Sequence, residues 1–275
     1  MGVGYRTDRQ RRRKAYSKLT LLYISQQQCR YALDSRGSSS TPEAFLATPQ
    51  NHLIELLPSK DRLRLLEQCE LFDMVLADVL CEPGEPTRYV YFPVEGFISL
   101  VALSEGQPGL EVGMVGREGM VGAEMVLGVA ISPLHALVQG PGNAWRMTAR
   151  AFRGELGRSS ALRKHLNRYL YVLMAQQAAS AACLRFHQTG PRLARWLLMS
   201  QDRAQAASFH VTQEFLAYML GMRRVGITAA ASALQRDGLI EYVRGELTVL
   251  DRKGLEAVAC SCYASEKQSY TELLG

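Results

Sequence analysis

The last third of the chain carries the pattern that most restricts how this sequence can fold. Two short amphipathic stretches are separated by a glycine, and two β-prone segments follow, separated by a pair of turn residues. In chain order these parts are residues 213–220, Gly221, residues 224–236, 239–243, Arg244-Gly245 and 246–250. Helix, tight glycine turn, helix and hairpin in this order are typical of a winged helix-turn-helix.

Two adjacent arginines, Arg223 and Arg224, fall at the turn and at the start of the second helix. In a helix-turn-helix, the N-terminal residues of this helix meet the major groove of DNA. An arginine there can donate two hydrogen bonds to guanine O6 and N7, and the unpaired backbone N–H groups favour a phosphate. We therefore predict that Arg224 reads a base and that Arg223 contacts a phosphate. The alternative is that both are merely exposed on a helical hairpin.

Further side chains of this region are predicted to contact DNA. Thr212, as N-cap of the first helix, and its neighbour Gln213 can reach a phosphate, as can Arg244 from the tip of the wing. The predicted base-reading residues are Arg224, Val225, Thr228 and Ala229, and the predicted phosphate contacts are Arg223, Thr212, Gln213 and Arg244.

Upstream, residues 158–189 contain neither glycine nor proline and predict one long helix. Apolar and small residues recur along it at heptad spacing, and flanking charges leave only a narrow apolar stripe. We predict that this stripe is a dimerisation seam, formed by Leu162, Leu166, Tyr169, Leu173, Gln176 and Ser180. The alternative is a core helix that packs inside its own domain.

Between residues 72 and 147 the pattern changes to short β-prone runs separated by glycine and proline. The runs are residues 72–80, 89–92, 97–103, 110–115, 136–139 and 143–147. Many short strands at this spacing predict an antiparallel barrel or sandwich, so that the whole chain is expected to be α+β.

The formal net charge of +6 does not by itself indicate a nucleic-acid partner. Residues 1–40 hold nine basic and two acidic side chains, which leaves the remainder of the chain close to neutral. Residues 1–48 are predicted to be a basic, disordered tail, with nonspecific attraction to DNA phosphates as the alternative. An argument for DNA binding must therefore rest on local placement.

Several classes of protein are disfavoured. No apolar run approaches the roughly 20 residues of a membrane span, and the apolar patch after the N-terminal basic cluster lacks a cleavage site, so we expect a cytoplasmic protein. The six cysteines are scattered, no four metal ligands cluster in the sequence, and reduced thiols without a metal are expected. Neither a nucleophile–base group nor a carboxylate pair suggests an enzyme.

The sequence resembles transcriptional regulators of the Crp/Fnr type, over about residues 50–262. The stretches that carry the resemblance are LCEPGEPTRYVYFPVEGFISL (80–100), VGREGMVG (115–122), GPRLARWLLM (190–199) and VTQEFLAYMLGMRRVGITAAASALQRDGLI (211–240). The resemblance implies a β-roll sensor domain over residues 49–157, a dimerisation helix over 158–189 and a winged helix over 190–275. It also implies a homodimer that reads two half-sites of a palindrome.

The chain departs from the cyclic-nucleotide-binding members of this family. Those members hold the phosphate with an Arg-Ser or Arg-Thr pair, whereas no lysine or arginine occurs here between Arg117 and Arg146, and Ala123 stands where a glutamate would hold the ribose. Because a buried phosphate without a cation is costly, we expect no cyclic nucleotide and no other evident cofactor. The cysteine cluster of the oxygen-sensing members is missing too, so the effector stays unknown.

An apolar effector pocket is a second possibility for the roll. Met114, Met120, Met125 and Trp145 could line it, although the favoured interpretation places these side chains in the core.

The recognition helix departs from the family pattern as well. The familiar order is Arg-Glu-x-x-x-Arg, and here Arg224 is kept while Val225 and Ala229 replace the glutamate and the second arginine. Glutamate accepts from cytosine and arginine donates to guanine, so losing both predicts a different half-site, with apolar contact to thymine methyl groups as one possibility.

These observations predict a cytoplasmic, homodimeric regulator that binds double-stranded DNA and is not an enzyme. RNA polymerase and an unidentified small effector are further candidate partners. The alternative is a sensor or adaptor of the same fold that does not bind DNA specifically.

Overall fold

The computed structural model describes residues 51–104 and 109–275, and the predicted basic tail lies outside these residues. The helices described are α1 (His52–Glu55), α2 (Ser59–Leu66), α3 (Ala149–Arg158), α4 (Ser160–Phe186), α5 (Thr189–Ala204), α6 (Gln213–Met219), α7 (Arg224–Arg236), α8 (Arg252–Val258) and α9 (Cys262–Leu274). The strands are β1 (Glu70–Met74), β2 (Val79–Cys81), β3 (Tyr89–Pro93), β4 (Phe97–Ala102), β5 (Leu110–Val115), β6 (His135–Gly140), β7 (Gly142–Thr148), β8 (Ser208–His210), β9 (Ile240–Val243) and β10 (Glu246–Val249). The predicted α+β class is confirmed.

The first seven strands form two antiparallel sheets, in the orders β1-β7-β3 and β2-β6-β4-β5. The single strand predicted over residues 72–80 is wrong, because the chain forms two strands that pair with different sheets. The break contains Ala77, whose φ of 70° is left-handed and ends the extended conformation. Phe92 is fully buried against Phe152 of α3, and Ile98 is fully buried among side chains of both sheets, so the roll has a core on each side of its first sheet.

The long helix α4 begins after Ser159, whose hydroxyl accepts a hydrogen bond from the Leu162 amide over 3.0 Å. It ends at Phe186, because His187 is extended. Gly190 and Pro191, the first glycine and proline after the predicted helix, lie in the first turn of α5. A proline is tolerated there because first-turn amides have no partner within the helix.

The C-terminal part is a helix-turn-helix with a three-stranded wing in the order β8-β10-β9. Strand β8 and helices α8 and α9 were not predicted. The helices enclose a core that includes Leu193, Trp196, Ile227, Leu234 and Leu247. Because this core also contains Phe97 and Met114 of the roll, the winged helix and the roll pack against each other.

Two further features complete the fold. Helix α9 returns from the winged helix and packs along α4. Across the described ranges, the helices are all too short or too polar to cross a membrane.

Candidate nucleic-acid interface

The turn between α6 and α7 sets the exposed end of the second helix. The Phe215 amide donates to Thr212 Oγ1 over 3.1 Å, so the predicted N-cap of α6 is confirmed. Gly221 has a φ of 61°, a left-handed conformation that glycine adopts without steric cost. Arg223 is the N-cap residue of α7 and is extended, and its side chain makes no capping hydrogen bond. The Gly226 amide already donates to the Arg223 carbonyl over 2.9 Å, so the amides of Arg224 and Val225 are the ones left available to an anion.

Helix α7 has one buried and one exposed face. Ile227, Ala230, Ala231 and Leu234 pack into the domain core. The four predicted base-reading residues lie on the exposed face: Arg224, Val225, Thr228 and Ala229. Val225 is 77% exposed, although valine on a packed helix normally turns inward. Apart from Arg224 and Thr228, this set offers small apolar surface.

A hydrogen bond connects the two helices on this surface. Thr228 Oγ1 lies 2.6 Å from Gln213 Oε1 and 3.0 Å from the Arg224 carbonyl oxygen, and its single proton can be donated to only one of them. When Gln213 accepts this proton, its amide nitrogen keeps both donors for a phosphate. To donate a hydrogen bond to a base, the Thr228 hydroxyl must give up the one it donates to Gln213 or to the Arg224 carbonyl, whereas it can accept one from a base without doing so.

The wing presents Arg244 at its tip. Arg244 and Gly245 have φ values of 53° and 89°, the two positive angles of a type I′ hairpin turn. Arg244 is exposed. Tyr242 ties the wing to α7 and to the connection before α6, because its amide donates to Gln235 Oε1 over 2.9 Å and its hydroxyl donates to the Val211 carbonyl over 2.6 Å. Burial raises the pKa of Tyr242 to about 12, so the phenol keeps the proton it donates.

The predicted dimerisation seam faces the protein's own core. Leu162, Leu166 and Tyr169 are buried against the roll, and the Tyr169 hydroxyl accepts from the Met120 amide over 3.1 Å. Leu173, Gln176 and Ser180 continue on the same side and are half-buried. The seam prediction is therefore wrong for the three buried residues, because they have no surface left for a second chain. Heptad spacing shows that a helix has an apolar stripe, but it does not show whether the stripe packs on the same chain or on a second one.

The opposite side of α4 carries exposed apolar residues. Tyr171 is 62% and Met174 is 70% exposed, and Ala178 and Ala181 extend the same stripe toward the C-terminus of the helix. These four positions are separated by three or four residues, so they share one face.

The roll buries the side chains considered as an effector pocket. Met114, Met120, Met125 and Trp145 are at most 5% exposed and belong to the packed core, as favoured from the sequence. The two arginines on either side of the segment without lysine or arginine form ion pairs with glutamates. Arg117 pairs with Glu55 over 2.5 Å, and Arg146 pairs with Glu70 over 2.6 Å and lies over the Phe72 ring.

Four side chains that could bind a metal ion come together in the fold, although they were not predicted to do so from the sequence. Cys183, His187, Cys260 and Cys262 present one ligand atom each, and these four atoms lie within 4.8 Å of one another. The expectation that no four ligands cluster is wrong, because it considered spacing along the chain and not the return of α9 onto α4. The i, i+4 placement of Cys183 and His187 and the Cys-x-Cys pair were the available signals.

The fold and the exposed helix end together define a winged-helix protein joined to an antiparallel β-roll. Residues 191–258 match the Crp-like helix-turn-helix domain. The chain thus carries a Crp-like helix-turn-helix domain within the fold of Crp/Fnr transcriptional regulators, as its motifs predicted. Regulators of this type bind DNA and are not enzymes.

Solved structures of low sequence identity share this fold. A transcriptional regulator of the Crp/Fnr family from Eubacterium rectale is 16% identical, with a TM-score of 0.61 over 76% of this chain and 99% of the other. FixK2 from Bradyrhizobium japonicum is 15% identical, with a TM-score of 0.58 over 70% and 98% of the chains. A CRP-family transcriptional regulator from Thermus thermophilus is 22% identical, with a TM-score of 0.57 over 69% and 96%. No curated protein sequence matches the chain significantly.

Proposed function

We propose that the protein is a sequence-specific DNA-binding regulator that reads a palindromic site as a homodimer through α7. The observation that carries this proposal is the exposed N-terminal end of α7. There, two arginines and uncapped backbone amides lie beside a face that is open to solvent. Positive charge and free N–H donors at a helix N-terminus suit phosphate, and the adjacent open face can enter a major groove.

Within this proposal, Arg224 reads a base and Arg223, Gln213 and Arg244 contact phosphates. Val225 and Ala229 offer methyl groups, which favour a site containing thymine at the corresponding positions. Thr212 contributes chiefly by capping α6, since its hydroxyl oxygen already accepts the Phe215 amide.

Dimerisation is proposed through the exposed face of α4, formed by Tyr171, Met174, Ala178 and Ala181. A solvent-facing apolar stripe on a long helix is suited to pairing with a second copy about a two-fold axis. The two α7 helices would then reach successive major grooves. A cytoplasmic location, contact with RNA polymerase and an effector other than a cyclic nucleotide belong to the same proposal.

The decisive experiment is selection of bound DNA from a random pool with the full-length protein, followed by binding measurements on the selected site. The double variant Arg223→Ala/Arg224→Ala should lose specific binding while keeping its fold and oligomeric state. Arg150→Ala/Arg153→Ala is a matched control, because it removes the same charge from exposed positions on α3.

The alternative function is a sensor or adaptor that does not bind DNA specifically. Recovery of no enriched sequence from the pool, or unchanged affinity in the Arg223/Arg224 double variant, would favour that alternative.

A further inference from the structure

We propose that Cys183, His187, Cys260 and Cys262 form a four-ligand site for one zinc ion. The Cys183 and Cys260 sulfurs are 3.6 Å apart, and the Cys262 sulfur is 3.5 Å from His187 Nδ1. Zinc bonds of about 2.3 Å to sulfur and 2.0–2.1 Å to nitrogen give tetrahedral edges of about 3.8 Å between two sulfurs and about 3.6 Å between sulfur and nitrogen. The observed sulfur–sulfur and sulfur–nitrogen distances are close to these two expected values.

The four ligands come from two parts of the chain that the fold brings together. Cys183 and His187 lie one turn apart at the end of α4, and the His187 amide donates to the Cys183 carbonyl over 3.1 Å. Cys260 lies in the connection between α8 and α9, and Cys262, two residues on, is the first residue of α9. The Cys260 amide donates to the Pro191 carbonyl over 3.2 Å, which ties this connection to the start of α5. Backbone hydrogen bonds thus position the ligands.

Burial and charge suit a closed metal site. The three cysteines are at most 8% exposed, whereas His187 is half-buried and leaves a path for entry. Binding would release the thiol protons to solvent and leave anionic sulfurs. Arg192 and Arg195 line the same cavity as Cys183, and their positive charge stabilises such sulfurs.

The spacing favours one ion over a multi-iron cluster. All four ligand atoms lie within 4.8 Å of one another, whereas the four ligands of a cluster are divided among two or more irons, so ligands on different irons lie further apart. Three thiolates and one imidazole form a common structural zinc set, and with four protein ligands no position is left open for catalysis. The ion would join the end of α4, the start of α5 and the connection into α9.

A disulfide is the competing chemistry for the same cysteines. The sulfurs of Cys183 and Cys260 are too far apart to be bonded, since a disulfide is about 2.05 Å long. Its formation would also need an oxidant and would leave His187 and Cys262 without a role. The four-ligand geometry therefore favours zinc.

The test begins with elemental analysis of the full-length protein, purified under reducing conditions without a histidine tag. We expect about one zinc per chain. Replacement of zinc by Co²⁺ should give the visible bands of tetrahedral cobalt and a thiolate-to-cobalt charge-transfer band. His187→Gln and Cys262→Ser should weaken or abolish these bands, whereas Cys69→Ala/Cys81→Ala, which alters cysteines outside the cluster, should leave them unchanged.

A second measurement covers variants that fail to fold. Titration of the wild-type thiols with a mercurial should release zinc to a chromogenic chelator in step with cysteine modification. Reduced protein that contains no zinc and gives no cobalt bands would overturn the proposal, as would a Cys183–Cys260 disulfide without metal binding after reduction. Neither measurement depends on DNA binding.

Discussion

Trp196 of α5 donates a hydrogen bond from its indole Nε1 to Glu111 Oε1 of β5 over 2.9 Å, and so joins the winged helix to the roll. The Ser99 hydroxyl lies 2.5 Å from the other carboxylate oxygen. Burial raises the pKa of Glu111 to about 7, although both hydrogen bonds act in the opposite direction. The carboxyl group at this domain contact therefore changes its charge near neutral pH.

This pKa predicts a pH dependence of stability. In the unfolded chain Glu111 ionises around its ordinary pKa of 4.5, and in the folded protein around 7. A raised carboxyl pKa favours the folded state at low pH, and this contribution is lost as the pH rises through 7. Relative to Glu111→Gln, the wild type should lose about 2–3 kcal/mol of unfolding free energy between about pH 5 and about pH 8.

Urea titrations of both proteins at the two pH values measure this difference. Glu241→Gln, at an exposed position on β9, is the control and should follow the wild type. A constant difference between wild type and Glu111→Gln across the range would show that Glu111 does not titrate there.

The two arginines at the start of α7 should have separable effects on DNA binding. Arg224→Ala should cost about 1–3 kcal/mol on the selected site and relax the preference at one base position, because it removes a base contact. Arg223→Ala should weaken binding to all sequences and lower the slope of log affinity against log salt by about one, because it removes a phosphate contact. Fluorescence anisotropy at several salt concentrations, on the selected site and on single-base variants, distinguishes the two. If Arg223→Ala relaxed one base position and Arg224→Ala weakened binding to all sequences, Arg223 would be the base reader and Arg224 the phosphate contact.

Local chemistry made the recognition helix predictable from sequence. Its observed bounds, Arg224–Arg236, equal the predicted ones, because a glycine turn precedes the helix and Asp237-Gly238 ends it. Strand β5 was likewise found at its predicted bounds. The positions of the predicted DNA contacts follow from the helical period, but their contacts with bases and phosphates stay predictions.

The main features that could not be predicted from the sequence depend on contacts between residues that are far apart along the chain. Cys183 and Cys260 are 77 residues apart and meet only because α9 returns onto α4. The heptad stripe containing Leu166 has the same spacing whether it packs on the roll or on a second chain. The three-residue strand β8 is too short to show a period, so it was missed.

The wing turn predicts a substitution that separates stability from DNA binding. Arg244 has a positive φ, which costs a residue with a Cβ about 1 kcal/mol that glycine avoids. Arg244→Gly should therefore unfold at equal or higher urea concentration and bind DNA less tightly, with a smaller salt dependence. Arg244→Asn also removes the charge but keeps a side chain that tolerates this conformation, and it should bind DNA as weakly. Undiminished affinity in both variants would remove the wing from the proposed interface.

The face of α4 used for dimerisation can be identified with two glutamate substitutions. Met174→Glu places a charge on the exposed stripe and should yield folded monomers, because pairing would bury that charge. Leu166→Glu places a charge in the fully buried core and should cost about 3 kcal/mol or more of stability, rather than give a folded monomer. Leu71→Glu, a similar change at an exposed position on β1, should leave the dimer intact. Size-exclusion chromatography with light scattering gives the mass, and circular dichroism reports the fold. A dimeric Met174→Glu protein together with a folded, monomeric Leu166→Glu protein would restore the seam first predicted from the heptads.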